Sequence, residues 1–201
     1  MSQNPRFTLD VCRGGVYPRP CRHVGAGSIP ARCSGKSVGL TQMTDLPKRK
    51  SVRLPTDAYR RNDAFSVTIA ASQRYPWFGL YAELADAAVR LLCDMAAERE
   101  TALYAWCVMP DHVHLLLQDG DIVEFVRLFK GRMTPRGRVL EYERVLWQRS
   151  FYDHALRKEE SLTTVAIYIW QNPVRAGIAD HAASYAWSGS LVWPDWRQFP
   201  I

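Results

Sequence analysis

The sequence predicts an α+β protein built on an antiparallel sheet. Three observations carry that prediction. Apolar residues alternate at period two in some segments and recur at helical spacing in others. Two of the extended segments are separated only by the tight turn Met109-Pro-Asp111, because Pro fixes φ and Asp favours turns. A connection that short joins antiparallel neighbours, so these two segments form a hairpin.

The elements follow in order. Ala64 to Ala70 is β-branched and alternates Phe65, Val67 and Ile69, which reads as a strand. Pro76 and Gly79 punctuate. Leu80, Leu84, Ala88, Leu91, Leu92 and Met95 then mark a long amphipathic helix reaching about Arg99. Thr101 to Val108 is a second strand and His112 to Gln118 a third. Asp121 is placed to cap a helix carrying Ile122, Phe125, Val126 and Phe129 on one face, with Thr134-Pro-Arg-Gly137 expected to end it. Leu146 to His154 reads as a further strand. Ser161 opens a last helix that buries Leu162, Val165, Ala166 and Ile169 and stops at Asn172-Pro173, since the residue before Pro avoids the α region. From Ile178 onward, three Trp and two Pro suggest irregular packing over the body.

With 201 residues and 47% hydrophobic content, the chain can build one ordinary core. Residues 1–50 lack periodicity and are rich in Gly, Pro, Ser and Arg. They read as a disordered extension, with Met43 an alternative start. The main domain is expected over 51–190 and a C-terminal tail over 191–201. No stretch approaches the roughly 20 apolar residues of a membrane span. Five cysteines in no zinc-like spacing point to reduced thiols and a cytoplasmic protein, with Cys93 and Cys107 in the core.

The net charge of +6 is misleading as a sign of nucleic-acid binding. Residues 1–50 hold nine Lys/Arg against two acids, while 51–201 hold seventeen against eighteen. Basic character in the folded part is local: Arg127, Lys130, Arg132, Arg136 and Arg138 fall in a stretch without an acid. Such clustering makes either a phosphate-binding patch or a solvated helix face.

The chemistry-bearing residues lie in two places. On a strand, side chains alternate, so His112 and His114 point to one side, close enough to share a divalent metal, with Val113 in the core behind them. For a bare His-x-His pair, two solvent-facing polar residues is the simpler reading. On the last helix Tyr168 and Asn172 are four apart and share a ridge. A phenol and a carboxamide there could supply a nucleophile and a metal ligand. Tyr152 is the rival nucleophile. His154 is a surface residue, with a general base or a phosphate contact as alternatives, and Asp111 a turn residue or a partner that orients one of the histidines.

Four blocks, in this order, carry a family resemblance: Met109-Pro-Asp-His-Val-His-Leu-Leu-Leu117, Trp147-Gln-Arg-Ser-Phe-Tyr-Asp-His154, Leu156-Arg157 and Tyr168-Ile-Trp-Gln-Asn-Pro-Val-Arg-Ala-Gly177. Together they resemble the single-tyrosine HUH transposases (IS200-like), and within them the REP-associated tyrosine transposases. The similarity runs from about Leu54 to Trp187. The resemblance implies a ferredoxin-like antiparallel sheet with helices on one face and the histidines on a central strand. It implies His112, His114 and Asn172 as ligands of Mg²⁺ or Mn²⁺, and Tyr168 as the nucleophile. The activity implied is nicking and joining of single-stranded hairpin DNA through a 5′-phosphotyrosine. A catalytically silent DNA- or RNA-binding protein of the same fold is the alternative. Arg127, Lys130, Arg132, Arg157 and Arg175 are expected to bind DNA phosphates, and Trp147 or Trp170 could stack on bases. Related transposases include dimers that exchange tyrosine helices; a monomer is expected here.

Overall fold

The computed structural model describes residues 63–141, 143–157 and 160–201. The expectations for residues 1–50, including Met43 as a start, and for the boundary at 51 lie outside the described residues.

Five strands form one antiparallel sheet: β1 (Phe65–Ala70), β2 (Ala102–Met109), β3 (His112–Gln118), β4 (Tyr152–Ala155) and β5 (Ser188–Gly189), in the spatial order β4-β1-β3-β2-β5. The helices are α1 (Trp77–Leu80), α2 (Ala82–Glu98), α3 (Ile122–Leu140), α4 (Leu162–Trp170) and α5 (Asn172–Arg175). The first four strands with α2 and α3 as crossovers give the ferredoxin-like order. β3 bonds to β1 on one side and to β2 on the other, so it lies at the centre of the sheet.

Alternation on the strands divides the core in two. Phe65, Val67, Ile69, Val113, Leu115 and Leu117 face α2 and α3, which supply Leu84, Leu92, Met95, Phe125 and Phe129. The opposite face presents Ala105, Cys107, Met109 and Leu116, and these meet Ala166, Ile169 and Trp170 of α4. The expectation of helices on one face is therefore corrected. A central strand apolar on both sides, as β3 is at Leu115, Leu116 and Leu117, needs a cover on both. α2 and α3 cover one side, and α4 with the C-terminal segment covers the other.

Other differences have local causes. α3 does not stop at Thr134-Pro135 but continues to Leu140 with Pro135 inside it. Its buried stripe runs on through Met133 and Gly137, so packing outweighs the lost backbone bond. Gly137 packs closely there, since a Cβ would lie 3.3 Å from the Leu146 side chain. The strand expected from Leu146 is shorter: Trp147 makes a single bridge to Ala71, and the ladder with β1 begins at Tyr152. Asp121 caps α3 as expected, accepting from the Glu124 amide at 2.9 Å.

The segment after Ile178 is more ordered than its composition suggests. Ser188–Gly189 adds a fifth strand beside β2. Trp193, Trp196 and Phe199 gather round the fully buried Trp170, with ring centres 4.9–6.0 Å apart. Within residues 191–201, Trp196 is thus part of the core under α4, with Trp193, Phe199 and Ile201 packed against it. Trp147 and Trp170 are both buried, which removes them as base-stacking platforms. Cys107 is buried and Cys93 partly so.

Candidate active site

Pleating places His112 and His114 on the face of β3 that α4 covers, as the spacing predicts. Their Nε2 atoms face each other at 2.9 Å, with the rings nearly perpendicular. The other nitrogen of each ring is held from behind. His112 Nδ1 lies 2.5 Å from the Asp111 carboxylate, and His114 Nδ1 lies 3.0 Å from Thr68 Oγ1. An ionised carboxylate only accepts, so His112 Nδ1 is the donor, and in the neutral ring Nε2 is then the nitrogen with the lone pair. Burial first, then the nearby His112 ring and the Arg175 and Arg74 charges, push the His114 pKa down to about 3. His114 is therefore neutral at physiological pH.

Two imidazole nitrogens this close together are near enough to share one metal ion. Donor atoms 2.9 Å apart suit adjacent positions of an octahedral ion with bonds of about 2.1 Å, whereas a tetrahedral angle would open the pair to about 3.4 Å. Among the described residues no group of three or more His, Cys, Asp or Glu gathers, so a third ligand from among them would be of another type. Asn172 is of that type.

Tyr168 and Asn172 sit together on the same side of the sheet. Asn172 Nδ2 donates to the carbonyls of Tyr168 (3.2 Å) and Ile169 (3.0 Å). Arg175 binds both residues: its Nη2 donates to Asn172 Oδ1 at 3.0 Å and to the Tyr168 carbonyl at 2.6 Å, and its guanidinium lies over the Tyr168 ring. Pro173 does not scatter the group, because Gln171 stays helical and the chain runs directly into α5. The Tyr168 side chain is 59% exposed, open to a large substrate. No hydrogen bond among the described residues joins Tyr168 or Asn172 to the two histidines.

Tyr152 is also on the histidine face. Cross-strand partners share a face, and Tyr152 pairs with Thr68, which pairs with His114. With strands about 4.8 Å apart, Tyr152 stands roughly 10 Å from His114 along that row. Next to it His154 is bonded to Glu160 at 2.9 Å, and Glu160 also accepts from the Arg157 amide at 2.8 Å.

The basic residues divide between two faces. Arg175 lies beside the site and Arg157 just beyond β4. Arg127, Lys130 and Arg132 lie on α3, behind the sheet. Arg127 is paired to Glu124 and Arg132 to Glu98, while Lys130 Nζ donates to the Gln148 and Arg149 carbonyls near the β4 edge.

Sequence reasoning missed two supports. Thr68 was legible as a polar residue on the alternating face of β1, but its partner depended on strand order. Arg74 reaches Asp111 at 3.4 Å from a turn with no pattern to read.

The sequence profile of the family described as "Transposase IS200 like" matches residues 65–172, more than half of the chain and inclusive of His112, His114, Tyr168 and Asn172. The chain belongs to the IS200-like transposase family. Beyond this family match, it is 29% identical over 98 residues to a Haemophilus influenzae protein named as a candidate REP-associated tyrosine transposase. That alignment covers 42% of this chain and 56% of the relative, so the chain matches little more than half the relative's length. Among solved structures, a REP-associated tyrosine transposase bound to a REP hairpin shares the fold, with a TM-score of 0.52 at 22% identity, over 63% of this chain and 76% of the other. A candidate transposase from Deinococcus radiodurans has 27% identity and a TM-score of 0.41, over 53% of this chain and 87% of that one.

Proposed function

We propose that this member of the IS200-like family is a metal-dependent nicking and joining enzyme for single-stranded hairpin DNA, with Tyr168 as nucleophile. The observation that carries the reading is the His112–His114 pair, with both Nδ1 atoms occupied and both Nε2 atoms converging at 2.9 Å. In this half-buried pair, both neutral imidazoles would offer a cation their inner nitrogens.

His112, His114 and Asn172 would hold Mg²⁺ or Mn²⁺. Bound there, such an ion polarises a phosphate oxygen and offsets charge that develops on it. Asp111 holds His112 in the ligating tautomer, and Thr68 fixes the orientation of the His114 ring. Tyr168 supplies the phenolic oxygen. It forms the bond to phosphorus as the bond to the 3′ oxygen breaks. The phenol gives up its proton, the departing 3′ oxygen gains one, and a 5′-phosphotyrosyl ester is left. Storing the bond covalently splits one hard step into two easier ones. Arg175, stacked on the Tyr168 ring, holds the phenol and places a positive charge where the phosphate must enter.

The DNA path follows from the positions of the cations. Arg175 and Arg157 bind phosphates on the histidine face. A hairpin stem passing round the β4 edge meets Lys130, Arg127 and Arg132 on α3. The partner proposed is a REP-like hairpin, the kind of DNA that the structural neighbour binds. The oligomeric state proposed is a monomer, with α4 packed on β2 and β3 of its own chain.

The test is to incubate the protein with labelled hairpin DNA and Mn²⁺. Cleavage with a protein–DNA adduct is expected. Binding without cleavage or adduct at any metal concentration would instead identify a silent binding protein.

A further inference from the structure

The turn after β1 carries two features that the catalytic proposal leaves unused. Gln73 and Arg74 are consecutive non-glycine residues in the left-handed region, with φ of 54° and 55°. This conformation is uncommon for L-residues, and such strain gathers at ligand clamps. Beside it opens a cleft of about 260 Å³, lined among others by Gln73, Tyr75, Trp77, Glu143, Arg144 and Val145.

The cleft is unusually well organised for a surface feature. The Arg144 guanidinium lies 4.2 Å from the centre of the Tyr75 ring. Glu141 fixes this stack: it accepts from Arg144 Nε at 2.5 Å, from the Tyr75 hydroxyl at 2.5 Å and from the Tyr81 hydroxyl at 2.8 Å. Arg144 nonetheless remains half exposed. A flat cation held against an aromatic ring and half exposed can serve as a stacking platform for a planar group. Trp77 lines the same cleft, and its buried indole N–H has no hydrogen-bond partner among the described residues.

The charges select the kind of guest. Among the lining residues Glu143 and Arg144 balance, so the cleft has no excess positive charge to draw a phosphate. Carboxylate and carboxamide groups at its mouth accept from and donate to a polar edge. Glu143 favours a guest with an exocyclic amine, as adenine, cytosine and guanine have and thymine lacks. The location agrees. Arg74, next in the chain to Gln73, reaches Asp111, the residue that orients His112.

We propose that this cleft is a subsite for one unpaired nucleobase of the DNA strand. The base stacks on Arg144 and is read at its edge by Gln73 and Glu143, with a preference against thymine. This rests on the hairpin-DNA reading above and adds a base-reading site outside the reaction centre.

The experiment is an abasic scan. Each unpaired position flanking the hairpin is made abasic in turn, and affinity is measured for the full chain, for Arg144→Ala and for Gln73→Gly. Thermal unfolding serves as the folding control; glycine relieves the left-handed strain, so Gln73→Gly keeps the fold. One position is expected at which loss of the base weakens the wild type about tenfold, a typical value for one stacked base, and has no further effect in Arg144→Ala. At that position thymine binds worse than the other bases, and Gln73→Gly narrows the difference. Equal losses in the wild type and Arg144→Ala at every position would overturn the subsite. If adduct still forms in that case, the catalytic reading stands without it. If the hairpin is neither bound nor cleaved, the same scan on a hairpin-free oligonucleotide decides the cleft separately.

Discussion

The guanidinium of Arg175 lies 3.9 Å from the centre of the Tyr168 ring, and the same group donates to Asn172 Oδ1. One side chain thus positions the proposed nucleophile and the proposed third metal ligand. Arg175→Lys keeps the charge but loses the planar fork. The expected outcome is hairpin affinity with an unchanged salt slope, together with adduct formation slowed at least about tenfold, the loss that each ~1.4 kcal/mol of transition-state positioning brings. Arg175→Ala should also flatten the slope of log affinity against log salt by about 0.7–0.9. Adduct formation at the wild-type rate in both variants would remove Arg175 from the positioning role.

Tyr168 and Tyr152 are similarly exposed, at 59% and 57%, and both stand on the histidine face. Exposure therefore does not choose between them. Tyr168→Phe keeps the ring under Arg175 and removes only the oxygen. It should bind hairpin DNA normally and form no adduct, whereas Tyr152→Phe keeps most activity. Mass spectrometry of the protease-digested adduct checks this; DNA linked to the Tyr152 peptide would reverse the assignment.

Asp111 fixes the tautomer of His112 from behind. Asp111→Ala should weaken Mn²⁺ binding by about 10–100-fold, the usual effect of removing such a partner, with little loss of hairpin affinity. Calorimetric titration of Mn²⁺ into the DNA-free protein measures it directly. Unchanged metal affinity would mean that the histidine pair is organised by packing alone.

His114 makes stability depend on pH with a definite sign. Burial holds its folded pKa at about 3, while in the unfolded chain it is about 6.5. Below about 6.5 the unfolded state binds a proton that the folded state refuses. The stabilisation is complete above that pH and is lost as the pH falls toward about 3. Urea unfolding in the presence of chelator should show the wild type losing more stability between pH 7.5 and 5 than His114→Gln. Parallel pH profiles would count against a neutral, buried imidazole.

Gly189 faces the Trp106 ring, and a Cβ there would fall 2.1 Å from a ring atom. Trp106 is buried and cannot swing clear. Gly189→Ala should cost about 1–3 kcal/mol, the usual penalty of overpacking, and displace the edge strand from β2. A thermal midpoint within a degree of the wild type would show that the C-terminal segment is loosely held.

Much of the site is local enough to be read along the chain. The spacing of His112 and His114 sets their common face because strand side chains alternate. The spacing of Tyr168 and Asn172 sets theirs because a helix turns once in 3.6 residues. Asp121 as a cap and Val113 behind the histidines follow from the same short-range geometry. Other features depend on residues far apart in sequence. Pro135 marks a helix end by propensity, yet Met133 buries in the core and Gly137 against Leu146, and these carry α3 on. Ser188–Gly189 has no strand pattern and becomes one only because β2 offers an edge. Thr68 meets His114 across 46 residues, a contact set by the pairing of β1 with β3. The basic run on α3 is visible in the sequence, but its position behind the sheet is not. Residue type and period determine which way a side chain points within its own element. Which element lies opposite is decided by strand order and by the burial of both faces of the central strand, and these are properties of the whole fold.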